Sequence, residues 1–392
     1  MIVVYALINH DKRYKHLPPG PKGLPIIGSP FAFADPESFY KTAVKWSKQY
    51  GEIIHVKVGA RRFIFLSSPR VVKELMDKRG AIYSSRPYQP MFFDAYSNQR
   101  RYFFMPYGPL WRSIRKVSHA ALNLTTSTSY VPVQDFESKQ TMRDLLHADN
   151  DWQFFDLSRR YATSVILTVA YGMRIPRWDH PLTDAITAIN RHFFIMAQPG
   201  KWWVDSFPIL AKLPPWMVQN WWKKGREFHD SDIKVYTGLY RTLAEQVRTG
   251  TAPDCFVKDF YLAEPEKHGI DEETAAYTAG SMVEAGSEST SAAYNTWLLA
   301  CLLYPDVVTA AQEEIDRVIG SDRMPNFEDE PHLPYIRAMV KEVLRWKPIL
   351  KVGAPHASTQ DDWFDGFFIP RGSTIILSWW YVFCPSPNRR WY

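Results

Sequence analysis

Apolar side chains recur every three or four positions along most of this chain, which is the spacing of one face of an α-helix. The first such run has a typical helix start and ends at a glycine: Asp35, Pro36, Phe39, Ala43, Trp46, Tyr50 and Gly51. Further helical patterns cover residues 69–80, 111–122, 134–147, 156–172, 181–197, 217–249, 271–304, 305–319 and 333–347. No repeat period and no flexible linker divides them, so the pattern predicts one mostly helical domain.

Strand-like patterns are confined to two parts of the chain. Residues 52–58 and 62–66 are joined by a short turn, which predicts a β-hairpin. Strand patterns return only from about residue 363, around a turn at 370–372. The predicted fold class is therefore mainly α with small β-sheets near both ends of the chain.

The N-terminal residues differ in composition from the rest. Residues 1–9 are mostly apolar but too few to cross a bilayer, which needs about 20. Residues 1–16 therefore fit either the remnant of a membrane anchor or a frayed apolar tail. Residues 17–34 form a proline-rich hinge whose first part cannot be a helix or a central strand. We expect a stiff connector along the surface.

The composition narrows the class of protein. Hydrophobic residues make up 46% and aromatic residues 15% of the 392 positions, which excludes a disordered chain and a coiled-coil rod. The net charge of +6 is spread without a dense basic run, so no nucleic-acid partner is predicted. Three cysteines cannot form a disulfide framework or a cysteine-rich zinc site. Any important thiol must act alone.

The helical pattern at 271–304 is the longest, and Asp271 and Pro305 are suited to start and stop it. Small residues fill its middle, around 285–293. Because glycine and serine lower helix stability relative to alanine, such a run indicates that something comes close to the backbone. Glu288 beside hydroxyl groups would suit proton transfer to a bound ligand. Tight packing against another helix, with Glu288 in solvent, would give the same pattern.

Several short motifs follow one another across residues 17–374, and together they resemble the cytochrome P-450 family of heme-thiolate monooxygenases. They are the proline-rich Leu17–Gly28, Trp111-x-x-x-Arg115, Ala285-Gly286-Ser287-Glu288-Ser289, Glu342-x-x-Arg345, and His356 with the strand that follows it. The phrase at 199–210 is similar to fungal members that act in secondary metabolism. The resemblance implies the cytochrome P-450 fold.

Two of these spacings occur twice in the chain. Trp222 and Arg226 repeat the first spacing, and Glu314 and Arg317 repeat the second. The order of the whole series is therefore the specific signal, since chance supplies single copies. We interpret Glu314 and Arg317 as a surface ion pair, worth ~0–1 kcal/mol.

The resemblance implies which residues contact the heme cofactor. Trp111 and Arg115 would pair with one propionate and His356 with the other, because arginine and histidine donate hydrogen bonds to carboxylates. Ala285 and Gly286 would lie at the oxygen-binding side.

Catalytic and structural roles follow from the same resemblance. Glu288, Ser289 and the adjacent Thr290 would deliver protons. Ser289 replaces the threonine that is usual in the family, and Thr290 lies about 100° further round the helix. Glu342 and Arg345 would form a buried pair that holds the loop carrying the heme ligand, so loss of one partner would leave a buried charge.

The heme ligand of the family is a cysteine within FxxGxRxCxG, which should follow the strand that ends near Ser373. The sequence holds no such segment: residues 379–392 diverge, and Cys384 lacks the neighbouring glycines and arginine. We therefore expect residues 35–378 to form an incomplete catalytic domain, truncated at the C-terminus, with no metal ligand. We expect weak or no heme retention, and we expect downstream coding DNA to encode the missing loop.

The function implied by the resemblance is oxidation of a lipophilic small molecule with O₂ and electrons from an NADPH-dependent reductase. The product would be a secondary metabolite such as a mycotoxin, a terpenoid or a polyketide. The family places such enzymes on the cytosolic face of the endoplasmic reticulum. Two alternatives stay open: an inactive, truncated remnant that binds a hydrophobic ligand or a membrane, and a helical interaction protein with vestigial motifs.

Residues 199–224 combine aromatic and lysine side chains, which suits a membrane surface. They include Trp202, Trp203, Phe207, Ile209, Leu213, Trp216, Trp221 and Trp222, with Lys201, Lys212, Lys223 and Lys224. An aromatic core with the lysines in solvent is the alternative.

Overall fold

The computed structural model describes residues 11–25, 27–29, 39–198, 200–262 and 269–383. The predicted helix start at Asp35 and Pro36, the apolar residues 1–9 and Cys384 lie outside this part of the chain.

Helices make up most of the described residues. The long ones are α1 (Phe39–Tyr50), α2 (Pro109–Leu122), α3 (Val131–Leu146), α4 (Gln153–Tyr171), α5 (Pro181–Ala197), α6 (Trp221–Arg248), α7 (Glu272–Leu303), α8 (Pro305–Val318) and α9 (Pro334–Trp346). Shorter helical segments include Pro69–Val72, Lys73–Lys78, Gly80–Tyr83, Pro90–Tyr96, Tyr102–Phe104, Trp203–Ser206 and Trp379–Phe383. The end of α1 and both ends of each of the other long helices lie within a few residues of the predicted bounds, so the mainly helical fold class is confirmed.

Strands from both ends of the chain meet in one sheet. The strands are β1 (Ile53–Val58), β2 (Arg61–Leu66), β3 (His356–Ala357), β4 (Asp362–Phe364), β5 (Phe367–Ile369) and β6 (Thr374–Leu377). The main sheet has the order β1-β2-β6-β3, with β2 parallel to β6, while β4 and β5 form a separate hairpin. Alternation along the sequence predicts strands but not this pairing, because the partners lie roughly 300 residues apart.

The proline-rich connector runs along the free edge of β1. The carbonyl of Pro19 accepts the N–H of His55 at 2.9 Å, and the N–H of Ser29 donates to the carbonyl of Lys57 at 2.7 Å. An uncovered edge strand would be free to pair with another chain, so this connector protects the sheet.

α7 is the most deeply buried of the long helices over its first half. The carboxylate of Asp271 accepts the N–H of Thr274 at 2.7 Å, as a typical N-cap does, and Pro305 starts α8 directly after Tyr304. Residues 274–284 are buried without interruption. Side chains of α4, α6 and α7 share one hydrophobic cluster. The long central helix predicted from the sequence therefore passes through the core.

A second buried cluster is aromatic. Its larger members are Phe92, Tyr96, Phe104, Trp202 and Trp221. The ring centroids of Phe92 and Phe104 lie 4.2 Å apart, and Phe193 of α5 contacts both rings. This cluster joins the segment 90–104 to α5 and α6.

Within the described ranges, every helix is either too short or too polar to cross a bilayer.

Candidate active site

Two glycines of α7 allow neighbouring helices to pack closely against it. A Cβ added to Gly286 would lie 2.7 Å from Cγ1 of Ile166 on α4. A Cβ added to Gly280 would lie 2.2 Å from Cδ1 of Tyr236 on α6. Protein interiors are close-packed and leave no room for such overlaps. At both positions the small residue therefore serves helix packing. For Gly286, which lies within the small-residue run at 285–293, this is the second of the two interpretations given above.

One face of α7 near Gly286 is less covered. Ala285 is exposed, and Glu288 and Ser289 are half-buried. Residues three and four positions apart share a helix face, so these three side chains lie together. The Ser289 hydroxyl donates to the Ala285 carbonyl at 2.7 Å. Thr290 is also half-buried, but it lies about 100° away around the helix.

Two other serines of this stretch fasten α7 to its neighbours. Nδ2 of Asn190 on α5 donates to the hydroxyl of Ser287 at 3.2 Å. The hydroxyls of Ser158 on α4 and Ser291 are hydrogen-bonded at 3.2 Å. The small-residue run therefore has one side packed against other helices and one side that is less covered.

Trp111 on α2 and His356 on β3 are linked by short contacts. The ring of Trp111 contacts the ring of Tyr107, with centroids 5.2 Å apart. The N–H of Tyr107 donates to the hydroxyl of Ser85 at 3.2 Å, and the Ser85 carbonyl accepts the N–H of Ala357 at 2.7 Å. The structure thus brings these two predicted heme contacts to one region. No described contact joins them to Ala285 or Ser289.

The basic side chains of this region differ in burial and in charge. Arg115 is exposed and lies one turn after Trp111. Burial, with a contribution from Arg86, lowers the pKa of His356 to about 4, so this imidazole is neutral near pH 7. Arg86, which sequence reasoning missed, donates from Nη1 to the carbonyl of Pro355 at 2.7 Å, and burial lowers its pKa to about 10.

Glu342 and Arg345 form the predicted pair on α9. Nε and Nη2 of Arg345 donate to the two carboxylate oxygens of Glu342, each at 2.5 Å. The two side chains are 27% and 40% exposed, which differs from the buried pair that the resemblance implies. With this exposure the pair itself contributes about 0–1 kcal/mol.

The prediction of a surface ion pair between Glu314 and Arg317 is wrong. Glu314 on α8 is 5% exposed, and its carboxylate oxygens accept the N–H groups of Tyr335 and Ile336, each at 3.0 Å. These N–H groups belong to the first turn of α9, where a helix offers them no internal partner. Sequence spacing misses this contact because it joins two helices.

Sequence reasoning also missed Arg101 and Glu284, which lie next to the site. Glu284 directly precedes Ala285 and is 8% exposed, and Arg101 is 1% exposed. Nη1 of Arg101 donates to both carboxylate oxygens of Glu284. One signal for such a pair was available: Glu284 is an acidic residue in the buried first half of α7, and a buried carboxylate needs a partner. Nothing in the sequence distinguishes Arg101 from the adjacent Arg100.

The described residues fit one side of a heme. Nδ1 of His356 is buried without a hydrogen-bond partner among the described residues, and Arg115 is exposed one turn after Trp111 on α2. Both suit propionate carboxylates. Ala285 and Ser289 present a small, open helix face of the kind that a flat cofactor requires.

Neither described cysteine fits the axial ligand. Cys255 belongs to a hydrophobic cluster, and burial raises the pKa of its thiol. Burial also raises the pKa of Cys301 on α7. The heme ligand implied by the resemblance is a cysteine thiolate, whereas apolar surroundings favour the neutral thiol.

The comparison with protein families agrees with the motifs and the fold. The sequence profile described as Cytochrome P450 matches residues 18–383, nearly the whole chain. The chain therefore belongs to the cytochrome P450 family, whose members are monooxygenases that use heme and a reductase partner. This confirms the resemblance found from the sequence.

Several relatives that match are fungal monooxygenases. The chain is 50% identical over 390 residues to cytochrome P450 monooxygenase verL of Clonostachys rogersoniana, which covers 99% of this chain and 71% of verL. It is 35% identical over 383 residues to monooxygenase virE of Hypocrea virens, covering 97% and 68%. It is 34% identical over 364 residues to monooxygenase 58 of Postia placenta, covering 93% and 68%.

Proposed function

We propose that this chain acts in the oxidation of a lipophilic small molecule during secondary metabolism, with O₂ and electrons from an NADPH-dependent reductase. Family membership supports the class of reaction. The observation that carries the assignment of the site is the open face of α7, where Ala285, Glu288 and Ser289 lie together.

Heme, when bound, supplies activation of O₂. Trp111 and Arg115 would hold one propionate and His356 the other, His356 as a neutral hydrogen-bond donor. Ala285 would lie against the face of the cofactor, while Gly286 lets α4 pack behind it.

Glu288 and Ser289 would move protons to the site. Both lie on the open face, and a hydroxyl can turn from the Ala285 carbonyl toward a ligand because its proton rotates freely. Thr290, which lies about 100° further round the helix, would assist this proton transfer. Glu342 and Arg345 would hold the adjoining chain in place through their bidentate pair.

A membrane surface is the partner that we propose for residues 200–222. Trp202 and Trp221 are buried in the aromatic cluster, so the core interpretation holds for these two. Trp203 and Trp216 are 56% and 75% exposed, which is unusual for tryptophan in water. Exposed lysines flank them at 201, 212, 223 and 224. Aromatic rings beside lysines favour the headgroup region of an anionic membrane.

A heme-binding experiment tests this function. The chain is purified with heme, reduced and treated with CO; we expect at most a weak thiolate-type absorbance band, because neither described cysteine fits the ligand. A form that carries the cysteine segment of the family should show a strong band. In that form Glu288→Gln should divert electrons from product to peroxide, since general acid steps are typically worth 10²–10⁴-fold.

Two results would contradict parts of this proposal. Unchanged coupling in Glu288→Gln would remove Glu288 from proton delivery. Lack of heme binding even with the cysteine segment present would favour a role in binding a hydrophobic ligand or a membrane without catalysis.

A further inference from the structure

A buried group of charges lies where four parts of the chain meet, and the proposed chemistry does not use it. Arg101 comes from the segment 90–104, and Glu284 comes from α7. Arg101 is 1% exposed and pairs with both oxygens of Glu284 through Nη1 alone. Its guanidinium also lies over the ring of Tyr96, 4.6 Å from the centroid. Nε and Nη2 have no hydrogen-bond partner among the described residues.

A second carboxylate faces the same guanidinium. Oδ2 of Asp232 on α6 lies 3.7 Å from Nη2 of Arg101, and Asp232 is fully buried. Its oxygens also accept a hydrogen bond from the hydroxyl of Tyr96 and lie beside Nδ1 of His192 on α5, each at 2.7 Å. The cluster therefore fastens α5, α6 and the segment 90–104 to α7.

The remaining titratable groups that face the cluster are uncharged near neutral pH. The hydroxyl of Tyr236 on α6 donates to Glu284 at 3.4 Å, and the hydroxyl of Tyr277 on α7 contacts Nδ1 of His229 at 2.7 Å. Burial raises the pKa of both tyrosines and lowers the pKa of His229. These groups hold their neighbours in place without adding charge.

The count of charges leaves the cluster unbalanced. Two carboxylates, Asp232 and Glu284, face one guanidinium that never loses its proton. The buried site is neutral only when one carboxyl group carries a proton or when His192 is protonated. A net charge in a buried, low-dielectric site is unfavourable.

We propose that this cluster is a pH-dependent clasp: it holds the segment 90–104, α5 and α6 against α7 most firmly when one of its two carboxyl groups is protonated, and its hold weakens as pH rises through neutrality. The clasp acts on the residue next to Ala285, at the edge of the proposed site.

The direction of the pKa shifts agrees with the charge count. Burial raises the pKa of Glu284 from 4.5 to about 7, and burial raises the pKa of Asp232 as well. Between pH 4.5 and about 7, Glu284 keeps its proton in the folded protein but has released it in the unfolded chain. Folded stability from Glu284 is therefore highest in acid, falls as pH rises through this range, and is constant above it.

Hydrogen exchange of the full 392-residue chain tests the clasp. Amide protection is compared at about pH 5.5 and 7.5 after correction for intrinsic exchange. We expect amides of 90–104 and of α6 near Asp232 to lose protection by on the order of tenfold at the higher pH. Glu284→Gln leaves one carboxylate for one guanidinium, so its protection should be the same at both pH values.

Asp232→Asn is an independent second variant, since it restores the same charge balance from the other side. Glu272→Gln is the matched control, because Glu272 lies on α7 but forms an exposed pair with Arg241; it should keep the full pH response. Equal protection of the unmodified chain at both pH values would overturn the proposal. A tenfold loss of amide protection at the higher pH that persists in both Glu284→Gln and Asp232→Asn would also overturn it.

Discussion

At the scale of single residues, Glu314 serves as a helix cap that a neighbouring helix supplies. Replacing Glu314 by Ala removes the acceptor of the N–H groups of Tyr335 and Ile336 at the start of α9. We expect a loss of about 1–2 kcal/mol in the free energy of unfolding, measured with urea. Glu313→Ala, at an exposed position beside it, should change little. A surface ion pair would instead make Arg317→Ala as damaging as Glu314→Ala.

Gly286 offers a second test, of close packing. Gly286→Ala places a methyl group against Ile166. For the chain without heme we expect a loss of about 1–3 kcal/mol in the free energy of unfolding. Gly238→Ala on α6 is the control, since nothing lies within 4 Å of the added atom; better helix propensity should stabilise it by up to about 1 kcal/mol. If Ile166→Ala does not relieve the loss, the overlap is not its cause.

Residues reveal their role in the sequence only where their partner lies within the same element. Glu342 and Arg345 stand three positions apart on one helix, so their spacing predicts the pair. Glu314 has the same spacing to an arginine but a different partner, on the next helix. Arg101 and Glu284 are separated by 183 positions, and only the folded chain brings them together.

At the scale of elements, helices are predictable because their hydrogen bonds and their apolar periodicity are local. The bounds of α7 follow from Asp271 at its start and Pro305 after its end. The sheet is different: alternation marks β2 and β6 separately, and no local signal says that they pair. The segment 200–222 is intermediate, since its composition suits both a core and a membrane surface; the structure buries Trp202 and Trp221 and exposes Trp203 and Trp216.

The exposed part of that segment predicts membrane binding. Replacing Trp203 and Trp216 together by Ser should reduce flotation with anionic liposomes by on the order of tenfold or more, because each ring buries apolar area worth about 1.5–3 kcal/mol. Trp152→Ser is a matched control: this tryptophan is 77% exposed but precedes α4, away from the lysines.

Deletion of residues 1–16 separates this contact from any N-terminal one. The shortened chain should still float, and high salt should weaken its binding, since the lysines contribute by charge. Flotation that disappears with the deletion would mean that residues 200–222 do not bind the membrane.

At the scale of the whole molecule, stability in acid depends on pKa shifts of opposite direction in buried groups. Burial lowers the pKa of His55 in β1 to about 4, so the folded state resists its protonation and stability is lost as pH falls from 6.5 toward 4. Glu284 shifts the other way over an overlapping range. His55→Gln should therefore be more resistant to acid than the unmodified chain, by on the order of 3 kcal/mol at pH 4. Urea unfolding at several pH values measures this difference.

Measurement at about pH 8 supplies the baseline for that comparison, because neither His55 nor its replacement is charged there. Parallel curves for the two chains from pH 8 to 4 would show that His55 is free to take up a proton in the folded state.

The parallel pairing of β2 with β6 sets an order of events during protein synthesis. β2 leaves the ribosome early, while its partner follows only after roughly 300 further residues. At about 5–20 residues per second this interval lasts on the order of 15–60 s. During that time one edge of the nascent hairpin stays open to strands of other chains. We therefore expect residues 61–66 to be exposed to pairing with other chains during synthesis until β6 has been made.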